Sequence, residues 1–158
     1  MKTGTIKSDI VRKTEHSQII YQEYVKKETA WIIDKVNHTT SLLDVGCGEG
    51  RATRFLSKIT DNYMGVDLDS KAIAKAKKLQ TKKIKFEVLD VTKLSKRFSL
   101  NSFETSVCLW NTIGNIEEDI KAIEEMYKVT WKRCFITTLK KGNLKERINY
   151  YESQGLKY

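Results

Sequence analysis

Residues 42–51 read LLDVGCGEGR, and this stretch decides the fold. A short apolar run, 41–45, is followed by Gly46, Gly48 and Gly50 at every second position. This pattern is typical of a buried parallel strand that leads into a helix. Open α/β sheets bind ligands at such junctions, where glycine lets the backbone turn tightly and approach a ligand. The stretch therefore predicts an α/β fold with a ligand site at the end of its first strand.

The same residues argue against a dinucleotide as that ligand. The dinucleotide fingerprint is Gly-x-Gly-x-x-Gly, and Arg51 stands where its third glycine is expected. Asp44 and Glu49 flank the loop, and two carboxylates repel a pyrophosphate at close range. They favour a ligand with positive charge, such as an amino group or a sulfonium.

Outward from this stretch, predicted strands and helices alternate along the chain. The strands are expected at 41–45, 63–67, 84–89, 104–110 and 134–139, and the helices at 17–36, 49–59, 70–80, 115–130 and 144–153. Ser70 is the expected cap of its helix, and 91–102 is expected to be a loop with one short turn. The predicted inner stripe of the helix at 115–130 consists of Ile116, Ile120, Ile123, Met126 and Tyr127. The alternation predicts a doubly wound, mainly parallel sheet with helices on both faces.

The glycine loop resembles the glycine-rich motif of the Rossmann-like (class I) S-adenosylmethionine-dependent methyltransferases. Companion motifs stand in register with it: 65–67 reads GVD and ends the second strand, and 89–91 reads LDV and ends the third. Asp44, Asp67 and Asp90 are equally spaced along the chain. The resemblance covers most of the sequence and implies S-adenosylmethionine as the cofactor.

The resemblance also implies individual roles. Asp67 would accept hydrogen bonds from the ribose hydroxyls, Leu68 would lie against the adenine, and Asp90 would bind the adenine amino group. The implied cofactor site comprises Asp44, Gly46, Cys47, Gly48, Gly50, Asp67, Leu68, Asp90 and Val91. The alternative for Asp67 and for Asp90 is that each merely caps the turn that follows its strand.

The end of the fourth strand should face the transferred methyl group. Amino-methylating nucleic-acid enzymes of this family usually carry an Asp/Asn-Pro-Pro-aromatic signature there, and this sequence contains no proline. We expect Trp110 and Asn111 to border the acceptor pocket, as a wall and a hydrogen-bonding group. The alternatives are that Trp110 fills the core and that Asn111 or Asn115 caps the next helix.

The histidines and cysteines indicate no metal or nucleophile chemistry. His16 and His38 stand in no metal-spaced cluster, so no metal is expected. His16 either reaches the acceptor site, if its helix covers that site, or is exposed to solvent. Cys47 is interpreted as a packing residue. Three widely spaced cysteines, with no signal peptide and no membrane-spanning run, indicate a reducing cytoplasm.

Charge is unevenly distributed over the 158 residues, whose formal net charge is +9. Residues 70–100 carry ten basic and two acidic side chains, whereas 101–130 carry two basic and six acidic ones. A basic block of this kind is either a nucleic-acid footprint or a solvated, lysine-rich helix face. We favour the solvated face, with Lys71, Lys75 and Lys78 pointing to water.

These observations predict one methyltransferase domain over 1–158, with a helical cap at 1–40 and an α/β core at 41–158. The family sheet ordinarily has seven strands, and the last two are missing from this pattern. Either the chain is shortened or a C-terminal part lies beyond the given residues. The predicted function is methyl transfer to a small-molecule acceptor. The alternatives are a tRNA or rRNA methyltransferase, supported by the basic block, and a non-catalytic S-adenosylmethionine-binding subunit.

Overall fold

The computed structural model describes residues 15–138, with side chains from residue 22 onward. The chain divides into two compact units, 26–138 in one and 1–25 with 139–158 in the other. The sheet and the residues discussed below belong to the unit at 26–138. The predicted helix at 144–153, and any strand after it, lie outside the described residues. The boundary between a cap and a core at residue 40 stays a prediction.

Within the described residues, five parallel strands form one sheet. They are β1 (Thr39–Val45), β2 (Thr60–Asp67), β3 (Ile84–Val88), β4 (Phe103–Cys108) and β5 (Thr130–Ile136). Their order is β3-β2-β1-β4-β5, so β1 is central and pairs with both β2 and β4. The strand order reverses at β1, and the carboxyl ends of all strands meet at one edge. The predicted doubly wound parallel sheet is confirmed.

The helices that connect the strands are mostly shorter than predicted. They are α1 (Glu15–Val36), α2 (Thr53–Leu56), α3 (Ser70–Ala76), α4 (Leu94–Arg97) and α5 (Asp119–Val129), with 3₁₀ turns at Lys77–Leu79, Val91–Lys93 and Thr112–Asn115. The predicted helix at 49–59 shrinks to α2, because left-handed residues in the glycine loop prevent a helix from starting earlier. In 91–102, expected to be a loop with one short turn, the 3₁₀ turn at Val91–Lys93 is followed directly by α4, which was not predicted. The fifth strand begins at Thr130, four residues before its predicted start.

Two apolar clusters hold the helices against opposite faces of the sheet. The first contains Ile32 of α1, Leu56 of α2 and Ile73 of α3, packed with Leu42 and Tyr63. The second contains Leu94 of α4 and Ala122, Met126 and Val129 of α5, packed with Leu43, Val45 and Val66. Leu42 and Leu43 point to opposite faces because side chains alternate along a strand. The central strand is thus buried on both sides, as its apolar run predicts.

α5 buries only part of the stripe predicted to face inward. Met126 is buried and Ile116 packs against the second cluster, as predicted. Ile120, Ile123 and Tyr127 are exposed instead, and Ala122 and Val129 are buried beside Met126. The buried stripe also has helical spacing, but it includes Glu125, which periodicity alone rejects as a core residue. The Glu125 carboxylate is satisfied by the Ser95 backbone N–H at 2.7 Å and the Lys128 ammonium at 2.8 Å. These partners let a charged residue occupy the inner face.

The amino edge of the sheet carries a buried charge of its own. Glu104 of β4 accepts hydrogen bonds from the Thr40 N–H at 2.8 Å and from the Lys132 ammonium at 2.5 Å. These bonds lower the pKa of Glu104 to about 2. Beside it, the Thr130 and Ser106 hydroxyls lie 2.9 Å apart. Polar groups that bond to one another therefore hold this edge together.

Candidate functional site

The glycine loop lies on the carboxyl end of β2. The N–H groups of Gly46 and Cys47 both donate to the Val66 carbonyl, at 2.8 and 3.1 Å. Gly46 has φ +71°, and a Cβ there would lie 2.2 Å from the Thr112 Cγ2. Gly48 has φ +55°, and a Cβ there would meet nothing within 4 Å. Gly46 is therefore required by packing, whereas Gly48 presents bare backbone to open space that a ligand can enter.

Asp67 fastens this loop to the end of β2. Its Oδ2 accepts from the Gly48 N–H at 2.8 Å, and its Oδ1 accepts from the Asp69 N–H at 2.9 Å. The carboxylate is half-buried and still has lone pairs for further donors. Asp67 thus has the local capping role that was the alternative interpretation. The cap of α3 is Asp69, which accepts from Lys71 and Ala72, so the prediction that Ser70 caps this helix is wrong.

A buried hydrogen-bond chain lies beneath the loop and links three elements. The Thr53 hydroxyl of α2 donates to the Tyr63 hydroxyl at 2.9 Å, and Tyr63 of β2 donates to the Asp44 Oδ2 at 2.5 Å. Burial raises the pKa of Asp44 from 3.8 to about 6, although the Tyr63 hydrogen bond acts in the opposite direction. Sequence reasoning missed Tyr63 and Thr53. Their only signal is that a tyrosine and a threonine stand at otherwise apolar core positions.

The remaining predicted cofactor residues lie at the ends of β2 and β3. The side chain of Leu68 is exposed, and Val91 is half-buried against the second apolar cluster. Asp90 accepts from the Thr92 N–H at 3.0 Å and pairs with the Lys93 ammonium at 2.9 Å. The hydrogen bonds from Lys93 and Thr92 lower the pKa of Asp90 to about 2. Asp90 therefore remains a carboxylate and also caps the turn that follows it.

The end of β4 is conformationally unusual. The strand ends at Cys108, so Trp110 lies beyond it, and Trp110 and Asn111 both have left-handed backbone, with φ +59° and +54°. Trp110 is half-buried rather than a core filler, and the Arg51 guanidinium lies 5.2 Å from its ring centroid. The structure thus brings a residue of the glycine loop against the predicted acceptor residue. Asn111 precedes the 3₁₀ turn at Thr112–Asn115 and makes no side-chain capping bond, while Glu118 occupies the N-cap position of α5.

The other predicted residues contribute no reactive group here. Cys47 is buried, and burial raises the pKa of its thiol far above the ordinary range. His38 is exposed beside Asp61, with its Nε2 3.5 Å from the Asp61 Oδ1. The side chain of His16 lies outside the described residues. Among residues 15–138, no group of three or more His, Cys, Asp or Glu side chains could hold a metal ion.

Several carboxylates lie close to the glycine loop. Asp67 accepts from the Gly48 N–H at 2.8 Å, Glu49 follows Gly48 in the chain and pairs with Lys75 at 2.8 Å, and Asp44 is buried beneath the loop. Carboxylates beside open space suit a ligand that carries positive charge and hydroxyl donors. Within the described part of the chain, no helix has the length and apolar composition needed to cross a membrane.

Comparison with known proteins places this geometry in a family. The family model described as "Methyltransferase domain" matches residues 42–132, which contain the glycine loop and the ends of β1 to β4. Curated proteins give no significant match. Many solved structures do match the fold.

Three of these structures illustrate the likeness. YcgJ from Bacillus subtilis is 18% identical with a TM-score of 0.67, over 80% of this chain and 58% of that one. A TehB-like S-adenosylmethionine-dependent methyltransferase from Corynebacterium glutamicum is 23% identical with a TM-score of 0.61, over 88% and 82%. CalS10 from Micromonospora echinaspora, an amino pentose methyltransferase with bound S-adenosylmethionine, is 19% identical with a TM-score of 0.57, over 70% and 47%.

These identities show a shared fold, and the chain spans about half the length of YcgJ and of CalS10. The family match covers more than half of the chain and includes the acids and glycines at the strand ends. The chain belongs to the class I, S-adenosylmethionine-dependent methyltransferase family.

Proposed function

We propose that this chain is an enzyme that transfers a methyl group from S-adenosylmethionine to a small-molecule acceptor. The observation that carries the proposal is the Asp67 carboxylate, held at the end of β2 beside the bare backbone of Gly48. S-adenosylmethionine, when bound, supplies an electrophilic methyl group on a positively charged sulfur. The residues present fit such a ligand, because the Asp67 carboxylate lies beside Gly48, where a Cβ would meet nothing within 4 Å.

Each cofactor-site residue then has a defined task. Asp67 accepts hydrogen bonds from the ribose hydroxyls through its remaining lone pairs. Leu68 offers an exposed apolar surface to the adenine, and Asp90 accepts from its amino group beside the Val91 backbone. Gly46, Cys47, Gly48 and Gly50 shape the loop under the methionine portion. Asp44 stabilises the positive end of the ligand from below.

Trp110 and Asn111 border the acceptor on the other side of the loop. Methyl transfer needs an aligned nucleophile and a dry pocket more than a strong base, so positioning is the main contribution we assign to these residues. A small acceptor is favoured because the exposed lysines of 71–83 lie on α3 and the turn after it rather than at the end of β4. Methylation of tRNA or rRNA is the alternative that the basic block supports.

Calorimetric titration of the full chain tests the cofactor assignment. We expect binding of S-adenosylmethionine and of its demethylated product, and none of NAD, because the loop is flanked by carboxylates. Asp67→Ala should weaken cofactor binding at least about tenfold, since it removes charge-assisted hydrogen bonds. Asp61→Ala, at the other end of β2 and exposed, is the matched control and should bind normally.

The Asp67 variant must remain folded for this comparison, because it also releases the Gly48 N–H. Cooperative thermal melting checks this, and Asp67→Asn, which keeps one acceptor oxygen, provides a second, milder variant. Tight NAD binding with no response to S-adenosylmethionine would overturn the proposal. Labelled cofactor offered in parallel with a metabolite pool and with total RNA then identifies the acceptor class.

A further inference from the structure

Glu28 reaches from α1 to the ends of two strands at the acceptor side of the site. Its Oε1 accepts from the Trp110 N–H at 2.9 Å and from the hydroxyl of Thr137, which follows β5. The Thr137 N–H in turn donates to the Cys108 carbonyl at 3.0 Å. All of these residues belong to the compact unit at 26–138. One half-buried carboxylate oxygen therefore ties a helix to β4 and β5 together.

The N–H that Glu28 binds belongs to a strained residue. Left-handed backbone costs roughly 1–3 kcal/mol for a residue other than glycine, and it is rarer for a bulky residue than for asparagine. Trp110 and Asn111 adopt it consecutively, with φ +59° and +54°. Such a conformation persists only where its surroundings hold it. Within the turn, the Thr112 N–H and hydroxyl donate to the Leu109 carbonyl at 3.1 and 2.7 Å, and the Gly114 N–H donates to the Asn111 carbonyl at 3.1 Å. Glu28 adds a bond to the turn from another element, the helix α1.

This turn also sets how the acceptor side meets the glycine loop. The Trp110 ring lies 5.2 Å from the Arg51 guanidinium, and the Thr112 side chain fills the space that a Cβ at Gly46 would occupy. A peptide flip at Trp110 would move both the indole and the Asn111 amide. The orientation of one peptide unit thus determines the wall that we assign to the acceptor.

We propose that Glu28 is a positioning residue that holds the Trp110–Asn111 turn and, through it, the acceptor wall of the site. This inference rests on the proposed function, which assigns Trp110 and Asn111 to the acceptor pocket. It assigns to Glu28 a role as hydrogen-bond acceptor, and its negative charge is not required. The Glu28→Gln variant would keep an oxygen that accepts the same two bonds, whereas the Glu28→Ala variant would lose both.

The test uses fluorescence of Trp110 alone, in the full chain with Trp31→Phe and Trp131→Phe. Both of these tryptophans are exposed and lie outside the assigned site. In that background we expect Glu28→Ala to make Trp110 more accessible to acrylamide quenching, and Glu28→Gln to leave quenching as in the parent. Asp34→Ala, an exposed acid on the same helix, is the matched control and should also leave it unchanged.

Two further measurements separate this proposal from the proposed function. At about pH 8, affinity for S-adenosylmethionine should stay within about twofold in all three variants, because Glu28 bonds to none of the assigned cofactor residues and Asp44, whose pKa Glu28 raises, is ionised at that pH. The rate of label incorporation from the metabolite pool should fall at least about tenfold in Glu28→Ala and be restored in Glu28→Gln, because the alanine variant loses both hydrogen bonds that hold the turn and the glutamine variant keeps them.

The outcomes are distinct. Unchanged quenching in Glu28→Ala, or a Glu28→Gln variant as impaired as the alanine variant, would overturn the positioning role. Absence of S-adenosylmethionine binding in the unaltered chain would overturn the proposed function instead, while the quenching result would still report whether Glu28 holds the turn.

Discussion

Asp44 is a carboxyl group of the site whose pKa is raised above its ordinary value. It is buried at the end of β1, and its closest partner is the neutral hydroxyl of Tyr63 at 2.5 Å rather than a cation. Burial raises its pKa to about 6, while the more distant Arg51 and the Tyr63 hydrogen bond lower it. The Asp44 carboxyl group therefore changes charge near physiological pH, directly under the glycine loop.

This ionisation predicts a pH-dependent affinity for S-adenosylmethionine. The affinity should fall as pH drops through about 6, because protonated Asp44 no longer attracts a cationic ligand. Tyr63→Phe removes a bond that lowers the pKa of Asp44, so the midpoint should move to higher pH. Calorimetry from about pH 5 to about pH 8 measures both curves.

Tyr127→Phe is the control, since Tyr127 is an exposed tyrosine on α5. The amino group of the ligand titrates equally in both variants, so the difference between them isolates Asp44. An affinity that is flat with pH, or a midpoint that Tyr63→Phe does not move, would contradict the prediction. Stability should change in the opposite sense: the folded-state pKa of Asp44 lies above its ordinary 3.8, so this residue destabilises the fold as pH rises from 3.8 to about 6.

At the scale of elements, two positions of the glycine loop require glycine for different reasons. Gly46 lies against Thr112, and Gly48 faces open space. Both have positive φ, which costs an L-residue roughly 1–2 kcal/mol. The two positions thus share a backbone strain and differ in what surrounds them.

Substitution by alanine should distinguish them. Gly46→Ala should lower the melting temperature strongly, because its Cβ would lie 2.2 Å from the Thr112 Cγ2, and Thr112→Ser, which lacks that methyl, should restore part of the loss. Gly48→Ala should lose stability only by the cost of placing an L-residue in left-handed backbone. It should nevertheless bind S-adenosylmethionine at least about tenfold more weakly. Thermal melting measures the stability, and calorimetry the affinity, of Gly46→Ala, of Gly46→Ala combined with Thr112→Ser, and of Gly48→Ala. Equal losses of stability at the two positions would refute the distinction.

Elements could be predicted from the sequence where the apolar pattern allows one buried arrangement, and were predicted less well where it allows two. The apolar run at 41–45 could only be a buried strand, and the acids of the strand ends lie at the edge where they were expected. α5 offered two apolar stripes, and the buried one contains Glu125, whose partner Ser95 is distant in sequence. Glu28 and the Tyr63–Asp44 bond are likewise tertiary contacts, which no local pattern encodes.

For the whole molecule, the distribution of lysines is the feature that bears on the acceptor. Lys71, Lys78, Lys82 and Lys83 are exposed, in agreement with a solvated face. Lys75 is exposed as well, as predicted, but its ammonium also pairs with Glu49 in the glycine loop at 2.8 Å. A test of the basic block must therefore leave Lys75 in place.

Changing the other four lysines to glutamine should leave affinity for S-adenosylmethionine within about twofold, since exposed charges are screened over roughly 10 Å at ordinary salt. Label incorporation from the metabolite pool should be equally unaffected. Binding of single-stranded RNA, if these lysines serve it, would fall with salt at a slope of about −0.7 per phosphate contact in the unaltered chain. Loss of RNA methylation in the variant, with cofactor binding preserved, would favour the RNA methyltransferase over the small-molecule enzyme.

The polar cluster at the amino edge has a consequence for engineering this protein. Thr40 and Lys132 both donate to Glu104 at the end of the sheet opposite the glycine loop, and none of the three belongs to the assigned site. The Glu104 cluster and the assigned site thus lie at opposite ends of the same strands. A library that redesigns the edge around Glu104 for robustness can be combined with one that varies the Trp110 turn for selectivity, with little interference between the two.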